Sequence, residues 1–157
     1  LWAHQQDSKE SAWADCQRGD WMLWLLGEWA GKPESASRKQ LVLAACGCAR
    51  LALPYVKVGE LRPLHAIEIA EQWARGENGV SLSDVKNAAD YADYAAYAVY
   101  ANVYAAAYAA AAAAYAADAA DAKVARLKIL AQCADIVREH YPEVPIRLQE
   151  NQQWPST

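Results

Sequence analysis

Phenylalanine is absent from this 157-residue chain, and methionine and threonine each occur once. Without Phe, the large side chains available to fill a core are seven Trp, nine Tyr and the branched aliphatics. With Thr157 as the lone threonine, the regular Thr/Ala face of alanine-rich ice-binding helices is excluded. Histidine is scarce. His4, His65 and His140 stand in no local motif, and the chain carries no HExxH, no CxxC and no Gly-rich phosphate loop. A His65/Glu68 metal pair lacks two further ligands. The chain is therefore read as a non-enzyme with no cofactor and no metal.

Positive charge is also in short supply. Fifteen Lys and Arg stand against nineteen Asp and Glu, a formal net charge of -4. No long-range field attracts a duplex nucleic acid, although net charge leaves room for a local cationic pocket. No charged and apolar leader with a small-residue cleavage site precedes Cys16, Cys46, Cys48 and Cys133, so reduced thiols and a cytoplasmic location are expected. Cys46 and Cys48 stand about 200° apart around a helix. They read as small apolar core residues and not as a chelate.

What is present is alanine at helical spacing. The length suits one domain, placed over residues 1–142, with an extended tail over 143–157 that contains Pro145 and Pro155. Ser11 to Ala30 carries Trp13, Trp21, Trp24 and Trp29 and reads as two short helices, with Asp20 as the N-cap of the second. Ser37 to Leu53 is apolar on nearly every side, the pattern of a helix surrounded by protein, stopped by Pro54. Arg50 within it is a permanent cation that needs a carboxylate or an anionic ligand. Pro63 after Arg62 opens a further helix and Gly76 closes it, with Leu64, Ile67, Ala70, Trp73 and Ala74 inward. Ser81 to Asp84 resembles a capping box.

From there no Gly or Pro occurs until Pro142. One rod of that length would reach about 85 Å, too long for a compact domain, so a break is expected near Ala98 to Asn102 or Ala117 to Ala122. Tyrosines at 91, 94, 97, 100, 104, 108 and 115 keep largely to one side of the helix and leave methyl groups on the other. Tyr94 to Ala117 is uncharged and long enough to cross a bilayer. Alanine and tyrosine insert poorly, and Asp90, Asp93, Asp118 and Asp121 bracket the stretch, so no membrane span is expected. The last helix, Lys123 to His140, is read with Val124, Leu127, Leu130, Ala131, Ala134 and Val137 inward and Lys123, Arg126, Lys128, Arg138 and Glu139 outward.

The fold class expected is all-α, a compact helical bundle of about five or six helices with a central apolar helix and long alanine-rich helices. Trp, Tyr and Arg most often carry binding energy. The candidate partner-binding residues are Trp21, Trp24, Arg50, Arg62, Tyr94, Tyr97, Tyr104 and Tyr108.

Three blocks preceding the alanine tract carry a resemblance: Cys48-Ala49-Arg50-Leu51-Ala52-Leu53-Pro54-Tyr55, Arg62-Pro63-Leu64-His65-Ala66-Ile67-Glu68 and Trp73-Ala74-Arg75-Gly76-Glu77. In this order the chain resembles a family of bacterial proteins described as immunity proteins of toxin systems. The Arg18-Gly19-Asp20-Trp21-Met22-Leu23-Trp24-Leu25 block and Cys133-Ala134-Asp135-Ile136-Val137-Arg138 are similar to uncharacterised alanine- and tyrosine-rich proteins of bacterial and phage genomes. Together the blocks span most of Trp13 to Tyr141. The tract here is poorer in histidine than that of the immunity family. The resemblance implies an all-helical cytoplasmic protein that neutralises a protein toxin by binding it. Two alternatives stand beside this reading. One is a sponge for a small anionic nucleotide-like signal, held by aromatic rings and by Arg50 or Arg62. The other is a structural homo-oligomer packed through alanine faces.

Overall fold

A computed structural model describes residues 6–56, 58–92 and 122–144. Within them the chain is all-α, with six helices and no strand among the described residues: α1 (Lys9–Asp15), α2 (Gly19–Trp29), α3 (Ala36–Arg50), α4 (Arg62–Arg75), α5 (Leu82–Ala92) and α6 (Ala122–His140). The expected break in the alanine tract, its tyrosine face and nearly all of the tail lie outside the described residues. Among the described residues no helix is long and apolar enough to cross a membrane.

The apolar surround of α3 follows from its position between two cores. Leu41, Ala44, Ala45 and Cys48 recur at i, i+3, i+4 and i+7 and join Trp13, Met22, Leu23 and Leu26 of α1 and α2 with Leu130, Cys133, Ala134 and Val137 of α6. Val42, Cys46 and Ala49 form a second stripe, packed on Ile67, Ala70 and Trp73 of α4 and Val85 of α5. Two buried stripes on one helix leave no room for a polar face. Val144, just past Pro142, is also buried in the first core.

Small residues let the helices come close. A Cβ at Gly19 would lie 2.4 Å from Cys133 Cβ and 2.6 Å from both Cys133 C and Ala134 N. The backbones of α2 and α6 therefore cross in direct contact. Ala66 and Ala89 are buried together between α4 and α5.

Helix ends are satisfied largely by side chains. Ser8 and Ser35 accept from the Ser11 and Arg38 amides. Arg38 donates back to the Gly31 and Ala30 carbonyls at the end of α2, at 3.2 Å each. The capping box is present, with Asp84 N donating to Ser81 Oγ and Ser81 N donating to Asp84 Oδ2. α4 runs from Arg62 to Arg75, with Gly76 in the left-handed region at φ 70°.

Three local expectations need correction. Asp20 is not the N-cap of α2, because the helix already begins at Gly19 and Asp20 lies in its first turn, held by Arg18. α3 ends at Arg50, short of Leu53, since Pro54 opens a separate 3-10 turn, Leu53–Tyr55. The inward face of α6 is rotated relative to the expected one. Ile129, Leu130, Cys133, Ala134 and Val137 are buried, whereas Val124 and Leu127 are 63% and 53% exposed. Arg138, expected outward, turns in and donates to the Trp13 and Cys16 carbonyls at 3.2 and 2.8 Å. Close contact at Gly19 pins Cys133 and Ala134 against α2, and that contact sets the rotation.

Candidate functional site

Four of the six exposed large hydrophobic side chains among the described residues fall on two helices in contact, Trp21 and Trp24 on α2 and Val124 and Leu127 on α6. The same rotation of α6 that buries Cys133 exposes Leu127. Between the helices an open groove of about 480 Å³ is lined by Trp21, Leu127 and Ala131, with Asp15, Cys16, Gln17 and Arg18 from the α1–α2 turn at its end. Its surface is mostly apolar.

Arg18 orders the rim. Its guanidinium carbon sits 4.2 Å from the centre of the Trp21 ring, close enough for a cation–π contact. The same group donates to both oxygens of Asp20, at 2.7 and 2.5 Å. That bond raises the Arg18 pKa above its already high ordinary value. The ring is thus held by a guanidinium whose charge a carboxylate already balances, which suits apolar contact better than capture of an anion.

The other candidates sit elsewhere. Arg50, at the end of α3, donates to both oxygens of Glu71 on α4 at 2.8 and 2.9 Å. Arg75 approaches the same carboxylate at 3.6 Å. Arg62 pairs with Glu60 through its Nε at 2.8 Å and its Nη2 at 2.5 Å. The fold thus brings Trp21 and Trp24 together but not with Arg50 or Arg62. Tyr94, Tyr97, Tyr104 and Tyr108 lie outside the described residues. No family model, no curated protein and no solved structure matches this chain.

Sequence reasoning missed Val124 and Leu127 as surface residues and Arg18 as the group that holds Trp21. Ile129, Cys133 and Ile136 lie on a competing apolar line of the same helix, and the residue pattern alone does not rank the two.

A second pocket of about 460 Å³ lies between α4 and α5, lined by His65, Ile69, Val80, Asp84, Asn87 and Ala88. Asp84 is engaged there in the capping box. Among the described residues no group of three or more His, Cys, Asp or Glu is placed to hold a metal ion.

All four thiols are free and buried. Burial pushes the Cys16 and Cys46 thiols above their ordinary pKa of 9.0. Contact with the Cys133 side chain, and then burial, does the same for Cys48. Protonated and enclosed thiols are poor nucleophiles. Treatment of the native protein with an aromatic disulfide at pH 7.5 is expected to leave Cys46, Cys48 and Cys133 unmodified over minutes, with all four thiols reacting once denaturant is added; Cys16, which lines the groove, is the one thiol within reach. Two or more fast-reacting thiols in the native protein would contradict this burial. The sign with pH follows from linkage. A folded-state pKa raised above 9.0 contributes stability that is whole below pH 9 and is lost as the pH climbs past it. Tyr141, pushed up to about 12 by burial, adds a loss of the same sign above about pH 10.

Proposed function

We propose that the protein is a non-enzymatic binder that neutralises a partner by sequestration, in the manner of an immunity protein acting on a toxin, and that the Trp21–Leu127 groove is its docking surface. The observation that carries this reading is the coincidence of Trp21, Trp24, Val124 and Leu127 on two contacting helices, all exposed. Monomeric proteins rarely leave so many large apolar groups together in water. Trp ranks among the residues that contribute most when an interface closes over them. Arg18 stiffens the ring before binding, which lowers the entropy lost on docking.

Within this reading the sponge alternative is the weaker. The two arginines it relies on are each engaged by a carboxylate, Arg50 by Glu71 and Arg62 by Glu60, and the groove is open and apolar.

Co-expression with the products of the adjacent genes tests the proposal. The expected result is a stoichiometric complex with one of them, surviving purification with the native chain and lost with Trp21→Ala. Recovery of the chain alone, with each candidate product well above micromolar, would overturn it. Calorimetry with a panel of nucleotides is expected to show no saturable heat; saturable binding without turnover would transfer the assignment to the sponge.

A further inference from the structure

Resting on that reading, the geometry points to an occupant of stated chemistry for the groove: an amphipathic α-helix of a partner protein, with Lys or Arg flanking its apolar stripe. Its apolar stripe would seat between Trp21 and Leu127, and its basic residues would meet Asp15 at the end of α1 and Glu28 near the end of α2.

Anchor spacing supports a helix. Trp21 and Trp24 stand three positions apart on α2, and Val124 and Leu127 three positions apart on α6. Each pair presents one turn of apolar surface, the repeat at which a docked helix offers its own i, i+3 and i+4 side chains. Ala131 projects no further than a methyl group, so the groove of about 480 Å³ admits a large side chain between its walls. An extended peptide has less to hold it. Strand addition needs an open sheet edge to supply backbone bonds, and the described residues contain no strand.

Charge sets the flanks. Along the outer line of α2, Trp21, Trp24 and Glu28 recur at steps of three and four, all of them exposed. Asp15 lines the groove where α2 begins, and Glu28 stands one turn beyond Trp24. Neither carboxylate has an ion-pair partner among the described residues. Arg18 is neutralised by Asp20, and Asp135 is paired with Arg138. Lys128, exposed beside Leu127, opposes this field on the α6 wall. The two carboxylates, Asp15 and Glu28, exceed it, in a chain whose net charge is -4. Such a field favours a cationic partner in both approach and choice.

Three synthetic peptides of about 18 residues, five helical turns, test the inference on the full chain. One places Leu on a single face with Lys on the other, the second replaces Lys with Glu, and the third scrambles the Leu/Lys sequence to break the stripe. Tryptophan fluorescence and calorimetry are expected to show saturable one-to-one binding of the Leu/Lys helix, at least tenfold tighter than either control. Leu127→Lys is expected to weaken it at least tenfold with an unchanged circular dichroism spectrum. Asp15→Lys combined with Glu28→Lys is expected to shift preference toward the Leu/Glu helix by about tenfold. Equal binding of all three peptides, or indifference to Leu127→Lys, would overturn the inference. Failure of the broader reading looks different. If Leu127→Lys keeps a co-purifying partner, sequestration stands and this occupant falls. If the peptide selectivity holds but no adjacent gene product forms a complex, the groove assignment stands and the toxin partner falls.

Discussion

Gly19→Ala is expected to lower the unfolding free energy by about 3 kcal/mol, the upper part of the range for overpacking a close-packed site. For a chain of this size that corresponds to a fall in Tm of about 6 to 12 °C. The added methyl would overlap Cys133 Cβ at 2.4 Å and two backbone atoms of α6 at 2.6 Å. Backbone cannot rotate aside, so relief requires α2 and α6 to separate, and separation opens the core formed by Leu23, Leu130 and Val137. Gly47→Ala supplies the control. Its added Cβ would meet Ile136 Cγ2 at 2.7 Å and no backbone atom, so the strain falls on one half-buried side chain that is stiff at χ1. Replacing Gly inside a helix also gains up to about 1 kcal/mol in propensity. The strain is partly offset, so Gly47→Ala is expected to lose clearly less stability than Gly19→Ala in a urea titration. A Gly19→Ala protein as stable as the native chain would mean that α2 and α6 do not cross backbone to backbone.

The second large effect concerns the Arg50–Glu71 pair, and it is asymmetric. Glu71 is buried, 9% exposed, whereas the Arg50 side chain is 40% exposed. Removal of the guanidinium leaves a carboxylate in the α3–α4 seam with Arg75 at 3.6 Å. Removal of the carboxylate leaves a guanidinium that reaches water. Arg50→Ala is therefore expected to cost about 2 kcal/mol, below the full range for a broken buried pair because the site is partly wet, and Glu71→Ala about 1 kcal/mol. The double variant, Arg50→Ala with Glu71→Ala, is expected to cost less than the sum, and the double-mutant cycle in urea measures the difference. Additive single effects would show that the pair carries no coupling.

These two sites mark how far the sequence could be read. That Arg50 must find a carboxylate or an anion followed from its place in an apolar helix, but nothing in the spacing distinguished Glu71 from Glu68, the other carboxylate of α4. The Ser81/Asp84 cap and the limits of α4 were legible because each depends on atoms within a few residues. Which tryptophans stay outside was not legible from their spacing: among the described residues Trp13 and Trp73 are buried, whereas Trp21 and Trp24 are exposed.

The face of α6 was not legible. The expected inward set shares Leu130, Ala134 and Val137 with the buried one but takes Val124, Leu127 and Ala131 where the structure buries Ile129 and Cys133, and a helix with two overlapping apolar stripes does not say which one turns in. The glycine at position 19 decides between them by admitting Cys133 and Ala134 to van der Waals contact with α2. That contact exposes Leu127 beside Trp21, and the groove exists as a result.

By itself, then, the order of residues determined the helical class, the Ser81/Asp84 cap, the limits of α4 and the burial of α3, since propensity, local capping and all-round hydrophobicity act over a few turns of one chain. Tertiary structure alone decided the rotation of α6, the partner of Arg50 and the apolar groove between α2 and α6. Each of these depends on which of several comparable surfaces another helix covers, a choice made by close contact between residues more than a hundred positions apart, or twenty-one for Arg50 and Glu71.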